Sequence, residues 1–205
     1  MVESTTTDPL GATRRRLVAS QAAFFALLAL CIVIDHSAQA QRNGISFYGV
    51  DHETIGVIAA AYVVISWGMW GMAGAVGAAG APAGLAQAVK AVALFPYVIL
   101  VTPYTAGTLM NWTHMTAGVI MALIQMAIAL GLLSRDRGAA PGLAFAVQLA
   151  GGILAALSLP NWHFGYLLQG EVTFQIGFAA VALQWLRALA PLAEARAQSP
   201  ERTIE

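Results

Sequence analysis

Residues 110–133 read MNWTHMTAGVIMALIQMAIALGLL, 24 residues without one Asp, Glu, Lys or Arg. At ~1.5 Å per residue a helix of that length crosses the ~30 Å hydrocarbon core of a bilayer. A barrel strand needs only ~9 to 11 residues, and in lipid the backbone must satisfy its own hydrogen bonds, so the run predicts a transmembrane helix. Five more runs of this kind occupy 17–34, 55–74, 85–103, 142–159 and 172–189. Pro96 and Pro103 predict a bend in the third, and Pro141 and Pro160 mark the two ends of the fifth.

The whole composition agrees with these runs. Of 205 residues 59% are hydrophobic and 10% charged, against about 25% charged in soluble domains. Mean hydropathy is +0.71. A soluble globule is excluded, and the first partner implied is the lipid bilayer. Ten basic residues balance ten acidic ones with no basic run after Arg14-Arg15-Arg16, so no nucleic acid is expected as partner. Cys31 is the only cysteine, which excludes an intrachain disulfide. Nine Arg to one Lys points by association to a GC-rich bacterial genome.

Positive charge is retained on the cytoplasmic side of a membrane. With six crossings, Arg14, Arg15, Arg16, Arg135, Arg137, Arg187, Arg196 and Arg202 share one side, and Arg42 alone falls on the other. The sequence thus predicts an all-α, polytopic protein of the cell membrane. It would be a six-helix bundle over 17–189, with cytoplasmic tails at 1–16 and 190–205. The arginines, the first apolar run and Ala38-Gln39-Ala40 also resemble a cleavable signal peptide. At 18 residues that run exceeds the ~7 to 15 of a signal core, so retention is expected.

This topology collects the chemistry on the outer face. His36, His52, His114 and His163, all the histidines of the chain, fall in or beside the outer connections, with Asp35, Asp51, Glu53 and Glu171. Asp136, inside, is expected to pair with Arg135 or Arg137. The 35–54 connection is long for a helical bundle, where about 2 to 8 residues suffice. Its Ile45, Phe47, Tyr48 and Val50 predict a short re-entrant or interfacial segment. The aromatic residues there and at Trp162, Phe164 and Tyr166 suit either a headgroup-level belt or a lid over a pocket.

Helical phase favours a pocket. Asn111, His114, Gly118, Met121 and Gln125 form one stripe, Gln148, Gly151, Gly152, Ala155, Ser158 and Trp162 a second, and Glu171, Gln175 and Phe178 a third. Intramembrane Gln and Ser also serve simply to bond helix to helix, whereas ionisable groups at span ends that face inward are commonly functional. His36, Arg42, His114, His163, Glu171 and Gln175 are the candidate ligand-binding residues, and His114 and Glu171 the candidate catalytic pair. Gly68, Gly71, Gly74, Gly77 and Gly80 recur every third residue. A helix turns back ~60° over three residues, so this row winds round it, and only 68–74 is expected to pack tightly.

Other chemistries find less footing. No local spacing of the His-Glu-x-x-His kind is present, and no metal ligands are assigned. Stacked haems are excluded by the one-sided histidines, leaving a single haem between His114 and His36 or His163 as the only haem arrangement; the cofactor is unknown. Ser37, Ser46 and Ser158 lack a nucleophile motif. Every acidic residue lies at or beyond a span end, which disfavours a proton-coupled carrier.

The run Arg42-Asn43-Gly44-Ile45-Ser46-Phe47-Tyr48-Gly49 ahead of the second span resembles the Arg-Asn-x-Ile-Ser element of a large family of uncharacterised prokaryotic six-span membrane proteins, catalogued as domain of unknown function nine-nine-eight. His114 opening the fourth span and Gly165-Tyr166-Leu167-Leu168-Gln169-Gly170-Glu171 before the last extend the similarity. An arginine usual in that last element is absent here, and Tyr48 replaces leucine. The resemblance implies a six-helix bundle without an assigned activity. From the residues themselves three uses stand open. They are binding of a small ligand or lipid headgroup at an outer-face pocket, an enzyme acting on a lipid-type substrate at the outer leaflet, with His114 and Glu171 as base and acid or both as metal ligands, and a structural subunit packing on another membrane protein or a second copy.

Overall fold

The computed structural model describes residues 10–159 and 164–198. Its helices are α1 (Gly11–Ile34), the short α2 (Ala38–Asn43), α3 (Ile55–Ala78), α4 (Ala83–Val101), α5 (Thr108–Arg135), α6 (Ala139–Leu157) and α7 (Leu167–Gln198), with a single 3-10 segment at Ile45–Gly49. All except α2 and the 3-10 segment are long and apolar enough to cross a membrane. The protein is an integral membrane helical bundle.

Helices overrun the apolar runs because a helix ends where its backbone is capped, not where its hydrophobicity ends. Thus α7 starts at Leu167 and continues through Pro191 to Gln198, so Glu171 lies inside a membrane-length helix. The expectation that every acidic residue sits at or beyond a span end is corrected at this position. Similarly α4 runs unbroken through Pro96 and stops at Val101, ahead of Pro103. Pro96 lacks the N–H that would bond the Val92 carbonyl. Asp136 pairs with neither arginine among the described residues; its carboxylate accepts the Gly138 N–H at 2.8 Å. A carboxylate two residues ahead of an amide reaches it through a turn of its own making.

Packing divides the bundle in two. In one part α1, α3, α4 and α5 follow one another side by side, and in the other α6 and α7 form a close antiparallel pair. Glycine sets the closeness of that pair. A Cβ on Gly151 would strike the Phe174 backbone, one on Gly170 the backbone of Ala155, and one on Gly177 that of Gln148. In lipid such contact supplies the van der Waals attraction that the hydrophobic effect supplies in water. In the winding glycine row of α3, Gly68 abuts Ser20 and Gly71 abuts Arg16, but Gly74 and Gly77 face open space, so the tight packing expected over 68–74 stops short of Gly74 as the row turns away from α1. Arg16 lies 3.9 Å above the Trp67 ring and donates to the Trp67 carbonyl at 2.6 Å.

Buried side chains form two clusters, one around Met72, Val89, Leu132, Trp185 and Leu189, the other around Leu28, Cys31, Phe47, Tyr48 and Ile58. The site lies where they meet.

The glycine contacts give a stability test. Gly177→Ala and Gly151→Ala should each destabilise the bundle by about 1 to 3 kcal/mol through overpacking against backbone. Gly74→Ala should be neutral or stabilising by up to ~1 kcal/mol, because it fills open space and improves helix propensity. Reversible unfolding in mixed micelles measures all three, and equal effects would show that the pair is not held by glycine contact.

Candidate functional site

Between α1 and α3 the chain leaves membrane-length helix, and its backbone must find partners elsewhere. The Asp35 carboxylate accepts the Ser37 N–H at 2.7 Å, and the Ser37 hydroxyl caps α2 by accepting the Ala40 N–H at 3.2 Å. Gly44 ends α2 with φ +71°, and its missing side chain leaves room for the Glu171 carboxylate. That conformation strains any other residue. Asp51 accepts the Thr54 N–H at 3.1 Å and closes the turn that leads into α3. Together α2 and the 3-10 segment form a strap, residues 38–49, laid across one end of the bundle.

Two side chains pin the strap. Glu171 Oε2 accepts the Ile45 N–H at 2.6 Å. His114, buried, stands 2.8 Å through Nδ1 from the Thr102 carbonyl and 2.8 Å through Nε2 from Ser46 Oγ. A carbonyl only accepts, so Nδ1 carries the proton; in the neutral ring Nε2 then accepts the Ser46 hydroxyl. The Tyr104 ring meets this imidazole edge-on, with centroids 5.7 Å apart. The Gln169 side chain donates to Gln41, a third tie to the strap and the second from α7.

Under the strap lies a cavity of about 500 Å³. Asn111, His114, Gly118, Met121 and Gln125 of α5, and Glu171, Gln175 and Phe178 of α7, all line it. Two of the three helical stripes therefore face the same space, and Gly152 and Ala155 bring part of the third. Arg42 and Asn43 stand at the strap end. Deeper, Gln125 and Gln175 face each other with amide contacts of 3.4 and 3.5 Å, long for hydrogen bonds. Ser66, buried on the cavity wall, has no hydrogen-bond partner for its hydroxyl.

Of the candidate ligand-binding residues, Arg42, His114, Glu171 and Gln175 share this cavity. His36 is exposed and outside its wall, and His163 and Trp162 lie outside the described residues. His52, 89% exposed, sits between Asp51 and Glu53 at 3.6 and 3.8 Å. No group of three or more His, Cys, Asp or Glu that could hold a metal occurs among the described residues. Gln21, Tyr62, Ser66 and Tyr104 line the cavity too. The first three are isolated polar positions in apolar helices, and their phase against the neighbouring helices is the only signal that could have found them. Burial raises the Tyr104 hydroxyl above its ordinary value, with the Asn43 side chain pulling the other way.

No family model, curated protein or solved structure matches this chain.

Two measurements check the strap. Cys31 is fully buried in the cluster that contains Ala40, Ile45 and Tyr48 of the strap. Glu171→Ala should raise its maleimide labelling rate about tenfold or more by freeing the Ile45 amide, whereas Glu171→Gln keeps an acceptor and should leave labelling near wild type. Tyr48, whose hydroxyl donates to the Asp35 carbonyl at 3.1 Å, is pushed from 10.0 up to about 12 by burial and then by the Asp35 charge. A raised value in the folded chain means stability that is present below pH 10 and lost as pH climbs to about 12. Alkaline denaturation of Tyr48→Phe should lack that share.

Proposed function

We propose that this multi-pass membrane protein binds a small ligand or lipid headgroup in the cavity beneath the strap, with that end of the bundle extracytoplasmic and both termini cytoplasmic. The observation that carries the reading is a division of roles. His114 and Glu171 hold the strap, while Arg42 stands exposed at the cavity mouth with no ion-pair partner among the described residues. An unpaired guanidinium beside Asn43 and Asn111 suits an anion or a strongly polar headgroup. The orientation draws on the positive-inside rule, because Arg16, Arg135 and Arg196 belong to the end of the bundle opposite the strap. Membership of the family catalogued as domain of unknown function nine-nine-eight is part of the same proposal. Its support is that the Arg42–Ser46 element forms the strap and His114 pins it.

The enzyme reading, with His114 as base and Glu171 as acid, has less support. Both imidazole nitrogens and one carboxylate oxygen are already engaged in holding backbone and Ser46. A partner-subunit reading draws on small-residue faces, and the tightest of these are used inside the chain between α6 and α7.

Thermal melting in phosphatidylcholine nanodiscs tests the binding reading. Phosphate-bearing compounds, from glycerol 3-phosphate to lysophosphatidate, should include at least one that raises Tm by several degrees in wild type. The shift should be lost in Arg42→Gln, with the unliganded Tm unchanged. Should none of them move Tm, the cavity is not a binding site for this chemistry.

A further inference from the structure

We infer that the ligand is an amphiphile with an anionic head, and that it reaches the cavity sideways from the bilayer through the seam between α5 and α6. The inference rests on the binding reading above and names its ligand class.

The seam runs along residues that line the cavity and are also exposed: Asn111, Met115 and Val119 of α5 and Ala156 of α6, with Val119 54% exposed. On α5 they follow four-residue steps from Asn111, the residue that also opens the stripe of His114 and Gln125. Asn111 to Val119 covers about 12 Å along the helix. The cause lies in α6, which glycine contacts draw tightly to α7 while its contact with α5 stays sparse. A soluble ion needs no slot in a lipid-facing wall. An amphiphile can pass through one with its head at headgroup level and its chain never leaving hydrocarbon.

The cavity has the proportions of that molecule. Its mouth carries the Arg42 guanidinium with Asn43 and Tyr104 beside it, and its walls below are apolar, formed by side chains such as Ile65, Met69, Ile99 and Phe174. From His114 to Gln125 is about 16 Å along α5, close to the ~15 Å that one leaflet contributes to a ~30 Å hydrocarbon core. A space of about 500 Å³ along that length has room for a hydrocarbon chain. Gln125, Gln175 and Ser66 put polar groups on the deeper part of the wall, away from the mouth.

Equilibrium and kinetic binding in phosphatidylcholine nanodiscs, with three probes, separates the components. Oleoyl lysophosphatidate has chain and anion, monoolein has the chain alone, and glycerol 3-phosphate has the anion alone. Wild type should bind lysophosphatidate at least tenfold tighter than monoolein and at least a hundredfold tighter than glycerol 3-phosphate. Arg42→Gln should bring lysophosphatidate to within about threefold of monoolein. Gly118→Leu places a side chain where a Cβ meets nothing within 4 Å, so it fits the fold and fills the chain's space. It should weaken both chain-bearing probes tenfold or more. Val119→Trp, on the seam, should slow association of both about tenfold.

Equal affinity for lysophosphatidate and glycerol 3-phosphate with no effect of Gly118→Leu would overturn the chain and leave the headgroup site standing. Equal affinity for lysophosphatidate and monoolein would overturn the anionic head. Unchanged association in Val119→Trp would overturn the sideways route. Absence of binding by all three probes would remove the binding reading itself.

Discussion

An amide hydrogen left without a partner where water cannot follow costs several kcal/mol, and this one constraint shapes the bundle. Along the six long helices the chain answers it locally. At the strap it cannot, because backbone there runs through a tight turn at Gly44 and a 3-10 segment. A carboxylate 126 positions further along supplies the acceptor for Ile45 instead. Gly44 is therefore doubly constrained, by its φ of +71° and by the nearness of that carboxylate.

The same economy explains why the cavity is open. Side chains that hold the strap stand at its rim, so they cannot also fill the space beneath. Helices α6 and α7 approach each other through glycine, which draws α6 away from α5. Polar groups stand at the cavity mouth and again among Gln125, Gln175 and Ser66, with apolar walls around them.

Much of this was legible in the chain alone. Apolar runs disclosed the six helices, since no other structure satisfies backbone in lipid, and helical phase placed Asn111, Gly118 and Gln125 on one side with His114. What escaped was set by contacts between distant segments. Glu171 looked like a loop residue because hydropathy starts the last run at Val172, whereas the helix starts at Leu167. Ser46 and Gly44 carried no sign that they would meet α5 and α7. Asp35 and Asp51 counted as outer-face chemistry, yet each caps a turn. His36, grouped with His114 by side of the membrane, is exposed and stands outside the cavity wall; topology sorts residues by compartment and says nothing about distance.

The reach of Glu171 also orders events during biosynthesis. Chains are made from the N-terminus, so the first five long helices can be in the bilayer while the strap still lacks its acceptor on α7. Only when the final helix docks does the Ile45 amide gain its partner and the chamber its last wall. A product truncated before α7 would therefore carry every arginine of the early loops and still lack both the acceptor for Ile45 and one wall of the cavity.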